Sequence, residues 1–221
     1  MELTPAPIAS LPAVSRLALV YAPAWARERT LAVFALDARL ADLIRGSSEP
    51  MLAQLRLAWW REAVARPASS WPEGEPIFSL LRSWVDQHSP LTSLIDGWEA
   101  LTAHPPLGEE AVRAFAQGRA AASGALARVL GSVKEEDAAT SLGRIWALED
   151  LAMRLSREDE RKIALALAAE QPVALPRTGR ALRPLRVAAA LARRRRLAGS
   201  EAGAASPRAV FEALRRGLLG L

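Results

Sequence analysis

Two pairs of carboxylates on helical stretches of this chain are candidates for chemistry. Asp37 and Asp42 lie in LAVFALDARLADLIRG, residues 31–46, and Glu149 and Asp150 lie in RIWALEDLAMRL, residues 144–155. Carboxylates three or four residues apart share one helix face, and their hard oxygens suit Mg²⁺, a Lewis acid for a departing anion. Neither pair has that spacing. Asp37 and Asp42 are separated by about 500° of helix rotation, so they point roughly 140° apart. Glu149 and Asp150 are adjacent and diverge by about 100°. Arg39 and Arg45 each stand three residues from Asp42, and Arg154 stands four after Asp150. Surface ion pairs, worth about 0.3 kcal/mol each, therefore account for Asp42 and Asp150.

Other chemistries have fewer candidates. The 221 residues contain no cysteine, which removes disulfides, thiolate nucleophiles and sulfur-ligated metals and fits a reducing compartment. His88 and His104 have no ligand-like spacing, so a histidine metal site is not expected and both read as surface or loop residues.

The elements that must hold these residues are helical. The chain is 51 % hydrophobic, mostly Ala and Leu, and no stretch sustains a period of two. Leu31, Phe34, Ala35, Ala38, Leu40 and Ala41 make an apolar stripe at helical spacing. After a hinge at Gly46–Ser48, a second helix is expected, with Ser48 as N-cap and Pro50 near its first position. Its helical repeat reads as Met51, Leu52, Leu55, Ala58, Trp59 and Glu62–Ala63. Further helices are expected over about 13–22, Pro23 to Arg45, Ile77 to Gln87, from Ser89–Pro90 to His104, Gly108 to Gly131, Glu135 to Leu155, 157–169, 181–197 and 207–219. Residues 1–12 read as an extended leader. Gly118, Ala120 to Ala122, Ser123 and Gly124 would let a neighbouring helix approach closely. The expectation is one all-α bundle, with residues 1–170 as the main domain and 171–221 as a basic helical extension. No run reaches the ~20 apolar residues of a membrane span.

Ser15–Arg16, Pro23, Arg27, Ala32, Phe34, Ala35 and Asp42, followed by EPMLAQLRLAWWREAV, resemble the N-terminal half of the squalene/phytoene synthase family. The likeness is greatest to its short, divergent branch, which includes mitochondrial complex I assembly factors. The resemblance implies an isoprenoid-synthase bundle, C-terminally shortened. In the family's enzymes, two aspartate-rich motifs hold Mg²⁺ and ionise a prenyl diphosphate. Carried onto this chain, the first motif keeps only Asp42. Ala41 and Arg45 replace its other aspartates, and Ala38 replaces an arginine that faces the diphosphate. In the second motif Ala147, Asp150, Met153 and Arg154 replace Gln, Asn, Arg and the metal-binding Asp.

Charge is unevenly placed: from Gln171 onward 11 arginines face two glutamates, a net +9, which leaves −4 for residues 1–170. Arg183, Arg186, Arg193, Arg194, Arg195 and Arg196 read as a basic surface that would be solvated or would rest on anionic lipid. Nucleic acid is not expected, because the segment lacks aromatic residues for stacking. The functional expectation is a non-catalytic assembly, lipid-binding or interaction protein, cytoplasmic or peripheral at the inner membrane, with no cofactor. Its candidate partners are a prenyl lipid, a membrane surface or another protein. A prenyl lipid would sit in a cavity lined by Phe34, Asp42, Trp59, Phe115 and Trp146. The alternative is an active prenyltransferase with Mg²⁺ on a remodelled site of Asp42 with Glu149 or Asp150.

Overall fold

A computed structural model describes residues 8–199 apart from Ser48 and Asp86. Pro12 and Pro23, whose fixed φ suits the entry to a helix, precede α1 (Ala13–Leu19) and α2 (Ala24–Arg45). α3 (Pro50–Ala65) follows the Gly46–Ser47 hinge, with Glu49 as its N-cap in extended conformation. The expected cap, Ser48, lies outside the described residues, as do the residue 207–219 helix and residues 1–7 of the leader.

The remaining helices are α4 (Pro76–Leu81), α5 (Thr92–Ala100), α6 (Glu109–Val129), α7 (Glu136–Arg154), α8 (Glu158–Ala169) and α9 (Arg183–Ala198). No strand interrupts them among the described residues. The helix expected to run to Gln87 stops early. α4 tightens into a 3₁₀ turn at Arg82–Trp84, and Val85 then takes a left-handed conformation at φ 47°. Arg29 on α2 donates to the Ser83 carbonyl while Trp84 Nε1 donates to the Arg29 carbonyl. This exchange fixes the turn against α2 instead of extending it.

α6 and α7 form the most extensive helix pair, with α5 on one side and α9 on the other. Small residues set these approaches. A Cβ on Gly118 would strike the Ser93 carbonyl oxygen and lie 3.0 Å from the Gly97 Cα, so α5 and α6 touch backbone to backbone. A Cβ on Gly143 would likewise strike the Ser123 hydroxyl of α6. α9 closes the bundle by packing on α7 and on α1.

One expected face is reversed except at Ala63. On α3 the buried residues are Ala53, Leu57, Trp60, Ala63 and Val64, whereas Met51, Leu55 and Trp59 are 69 %, 61 % and 47 % exposed and Leu52 is also exposed. The helix carries two apolar stripes, and the one holding Trp60 faces the core. There Trp60 stacks on Phe78 at 4.9 Å, while Trp59 meets Phe78 only by an edge at 6.0 Å. His88 lies in a loop, as expected, yet it is buried. Its Nε2 is 3.1 Å from the Arg66 carbonyl, and its ring meets the Trp71 ring at 4.5 Å. No helix among the described residues is long and apolar enough to cross a membrane.

Candidate functional site

The interior of the bundle is organised around an arginine. Arg119 sits on the small-residue face of α6 and is among the largest fully buried side chains. Its Nη2 donates to Asp37 Oδ2 at 2.8 Å and its Nε to Asp37 Oδ1 at 3.1 Å, a two-point fork that matches carboxylate geometry. Trp98 Nε1 of α5 donates to the same Oδ1 at 2.9 Å. The guanidinium also stands 4.2 Å from the centre of the Trp146 ring, 4.8 Å from Phe115 and 5.6 Å from Trp98, all favourable cation–π distances.

The network continues into α7 and α9. Arg119 Nη1 lies 3.4 Å from Asp150 Oδ2, which also accepts from Arg154 Nε at 2.8 Å. Arg195 Nη1 approaches Asp150 Oδ1 at 3.3 Å. Glu149 turns the other way, as the 100° step between neighbours requires, and accepts from Arg193 Nε at 2.8 Å and from Arg196 Nε. Asp37, Glu149, Asp150 and Arg195 are all buried. Burial alone would raise the Asp150 pKa. The positive charges of Arg154, Arg119 and Arg195, with the hydrogen bond from Arg154, outweigh it and hold that carboxyl below its ordinary range.

Several residues lie elsewhere than the sequence led us to expect. Asp150 does pair with Arg154, but the carboxylate is buried and Arg154 reaches it from the surface. Asp42 pairs with Arg45 on the outside of α2, while Arg39, expected to share it, reaches Glu75 at 3.9 Å. Asp42 lines an open groove of about 320 Å³ with Ala35, Ala38, Arg39, Glu75 and Ile77. It therefore faces solvent, whereas Glu149 and Asp150 face inward. Phe34 meets Trp146 edge to face at 5.3 Å, and Phe115 and Trp146 both pack beside Arg119. Trp59 does not join them.

The expected basic surface is also corrected. Arg186 and Arg195 are buried, because residues 184–192 of α9 are enclosed almost completely as that helix packs on α7 and α1. Arg193 and Arg196 bend inward to Glu149, which leaves Arg183 and Arg194 at the half-buried margin.

Sequence reasoning missed Arg119 and set Asp37 aside. The available signal was a lone arginine amid AQGRAAASG and a lone aspartate in the apolar run FALDA. In both places only a partner can make the charge tolerable.

The donor set does not suit a divalent cation. Asp37, Glu149 and Asp150 all spend their oxygens on guanidinium groups. Among the described residues, no group of three or more His, Asp or Glu side chains is arranged to hold a metal ion.

The family model described as squalene/phytoene synthase matches residues 15–178. Together with the helical architecture, strandless among the described residues, this gives a fold of the isoprenoid-synthase type. No curated protein and no solved structure matches the chain.

Proposed function

Because the chain belongs to the squalene/phytoene synthase family, we propose that it is a non-catalytic member whose helical scaffold serves binding or assembly without prenyl transfer. One observation carries this reading. The interior carboxylates of α2 and α7 are neutralised by arginines of the same chain: Asp37 by Arg119, Asp150 by Arg119, Arg154 and Arg195, and Glu149 by Arg193 and Arg196. A Mg²⁺ at its ~2.1 Å contact distance would have to displace those groups or stand beside them as a like charge. The fixed guanidinium groups complete the interior electrostatics by themselves, so the chain uses no Mg²⁺ cofactor. Its partners are then met at the surface, as a peripheral membrane contact or another protein.

The test is direct. Purified protein incubated with farnesyl or geranylgeranyl diphosphate and Mg²⁺ should release no diphosphate above the protein-free blank. Release at enzymatic rates, about 1 s⁻¹ or faster, would overturn the proposal.

A further inference from the structure

The end of α9 carries a groove of about 430 Å³ lined by Val173, Leu175, Ala190, Arg193, Arg194 and Leu197. We propose that this groove receives the phosphate of an anionic phospholipid and seats the end of α9 on a membrane surface. The inference deepens the preceding one, since it rests on taking the surface, and not the interior, as the working part of the protein.

Three observations converge on it. The first is an unused cation. Arg193 and Arg196 are engaged by Glu149, and Arg195 by Asp150, but among the described residues Arg194 has neither an ion pair nor a hydrogen bond. Its Nε is shielded from solvent and has no acceptor. Its charge is uncompensated by any described residue, and a phosphate supplies the charge-assisted acceptor that a guanidinium fits best.

The second is a wall held in place. Arg193 donates through Nη1 to the Val173 carbonyl at 2.6 Å and through Nη2 to the Pro172 carbonyl at 3.1 Å, while its Nε is tied to the buried Glu149. The 172–173 segment is thereby fixed to the core through one side chain. The groove is formed before anything binds, which lowers the ordering cost of binding.

The third is the apolar rim. Ala190, Arg194 and Leu197 share a face of α9 by their i, i+4 and i+3 spacings. Leu197 is 71 % exposed and Val173, on the facing wall, is 93 % exposed. A positive group flanked by exposed aliphatic side chains matches the boundary between lipid headgroups and acyl chains. A free anion would use only the guanidinium and leave Val173 and Leu197 in water.

The experiment is co-sedimentation of the full chain with phosphatidylglycerol–phosphatidylcholine vesicles and with phosphatidylcholine vesicles alone. Binding is expected only where the anionic lipid is present. Arg194→Gln should weaken it by roughly fivefold, the share of one basic residue near a charged membrane, and Arg194→Glu should weaken it further. Leu197→Ser should weaken binding without changing the dependence on anionic lipid. Thermal unfolding of both Arg194 variants should match the parent, because Arg194 has no partner to lose. Absence of binding to anionic vesicles, or equal binding by Arg194→Glu, overturns the proposal. So does displacement from vesicles by inorganic phosphate alone, which would make the groove a free-anion site. A chain that releases diphosphate yet binds vesicles through Arg194 overturns the non-catalytic reading and leaves this one standing, so the two failures are distinguishable.

Discussion

Arg119 Nη2 lies 2.8 Å from Asp37 Oδ2 across 82 positions of sequence, and this contact joins α6 to α2 in a site closed to water. A buried pair of this kind contributes little net stability, because desolvating both ions offsets most of their attraction. Removing one partner is different, since it strands the other. Arg119→Met should therefore destabilise the protein by about 3–5 kcal/mol, read as a fall in the denaturant midpoint. Adding Asp37→Asn and Asp150→Asn to that variant should recover a substantial part. A single Arg119→Met that unfolds like the parent would show the network to be dispensable.

Asp150 gives the pH dependence its sign. Its folded pKa is depressed, chiefly by Arg154 and Arg119 working against burial, while an aspartate in the unfolded chain titrates near ~3.9. The stability it contributes is fully present above about pH 4 and is lost as pH falls through the lower folded value. Asp159, held down at the surface by its hydrogen bond from Arg157, acts in the same direction. Urea denaturation at stepped pH should show stability falling below about pH 4, with a shallower fall in Asp150→Asn, which cannot titrate there.

Gly118 and Gly143 should resist enlargement. Gly118→Ala drives a methyl into the Ser93 carbonyl on α5, and Gly143→Ala drives one into Ser123 on α6. Helices must separate to admit either, at about 1–3 kcal/mol each. The gain in helix propensity, roughly 1 kcal/mol, does not offset this where the obstacle is backbone. Gly108→Ala is the control, because nothing lies within 4 Å of its added Cβ. Melting temperatures of the three variants rank the sites.

Trp59 and Trp60 should separate sharply. Trp60→Ala empties a core position at a cost of about 3–5 kcal/mol, whereas Trp59→Ala removes a half-exposed ring and should cost less than about 1 kcal/mol. Equal losses in chemical denaturation would mean that the face of α3 has been assigned wrongly.

That contrast shows how much was legible in the sequence. The period of α3 was readable, so the helix was expected, but its phase was not. Met51, Leu55 and Trp59 form as good a stripe as Leu57, Trp60 and Val64, and only the tertiary partners Phe78 and Ala63–Trp71 decide between them. The 140° divergence of Asp37 from Asp42 was also readable and holds, with one buried and the other exposed. Which of the two was buried was not, because the partner of Asp37 is Arg119 on α6, 82 residues away. Arg193 to Arg196 mislead for a related reason. Four consecutive arginines on a helix spread over its whole circumference, so a charge run cannot be one surface, and where acids wait inside some of those arginines turn inward.

The packing of α9 on α1 ties the order of synthesis to the order of folding. Residues 13–19 are made before their helical partner, residues 183–198, which follows some 160 positions later, roughly 10–30 s at ordinary translation speed. Through that interval the 13–19 helix lacks its contacts with 183–198, and from the time Asp150 is made it waits 45 residues for Arg195. The bundle can close only once residues 183–198 have emerged, and until then an early apolar helix waits for a late one.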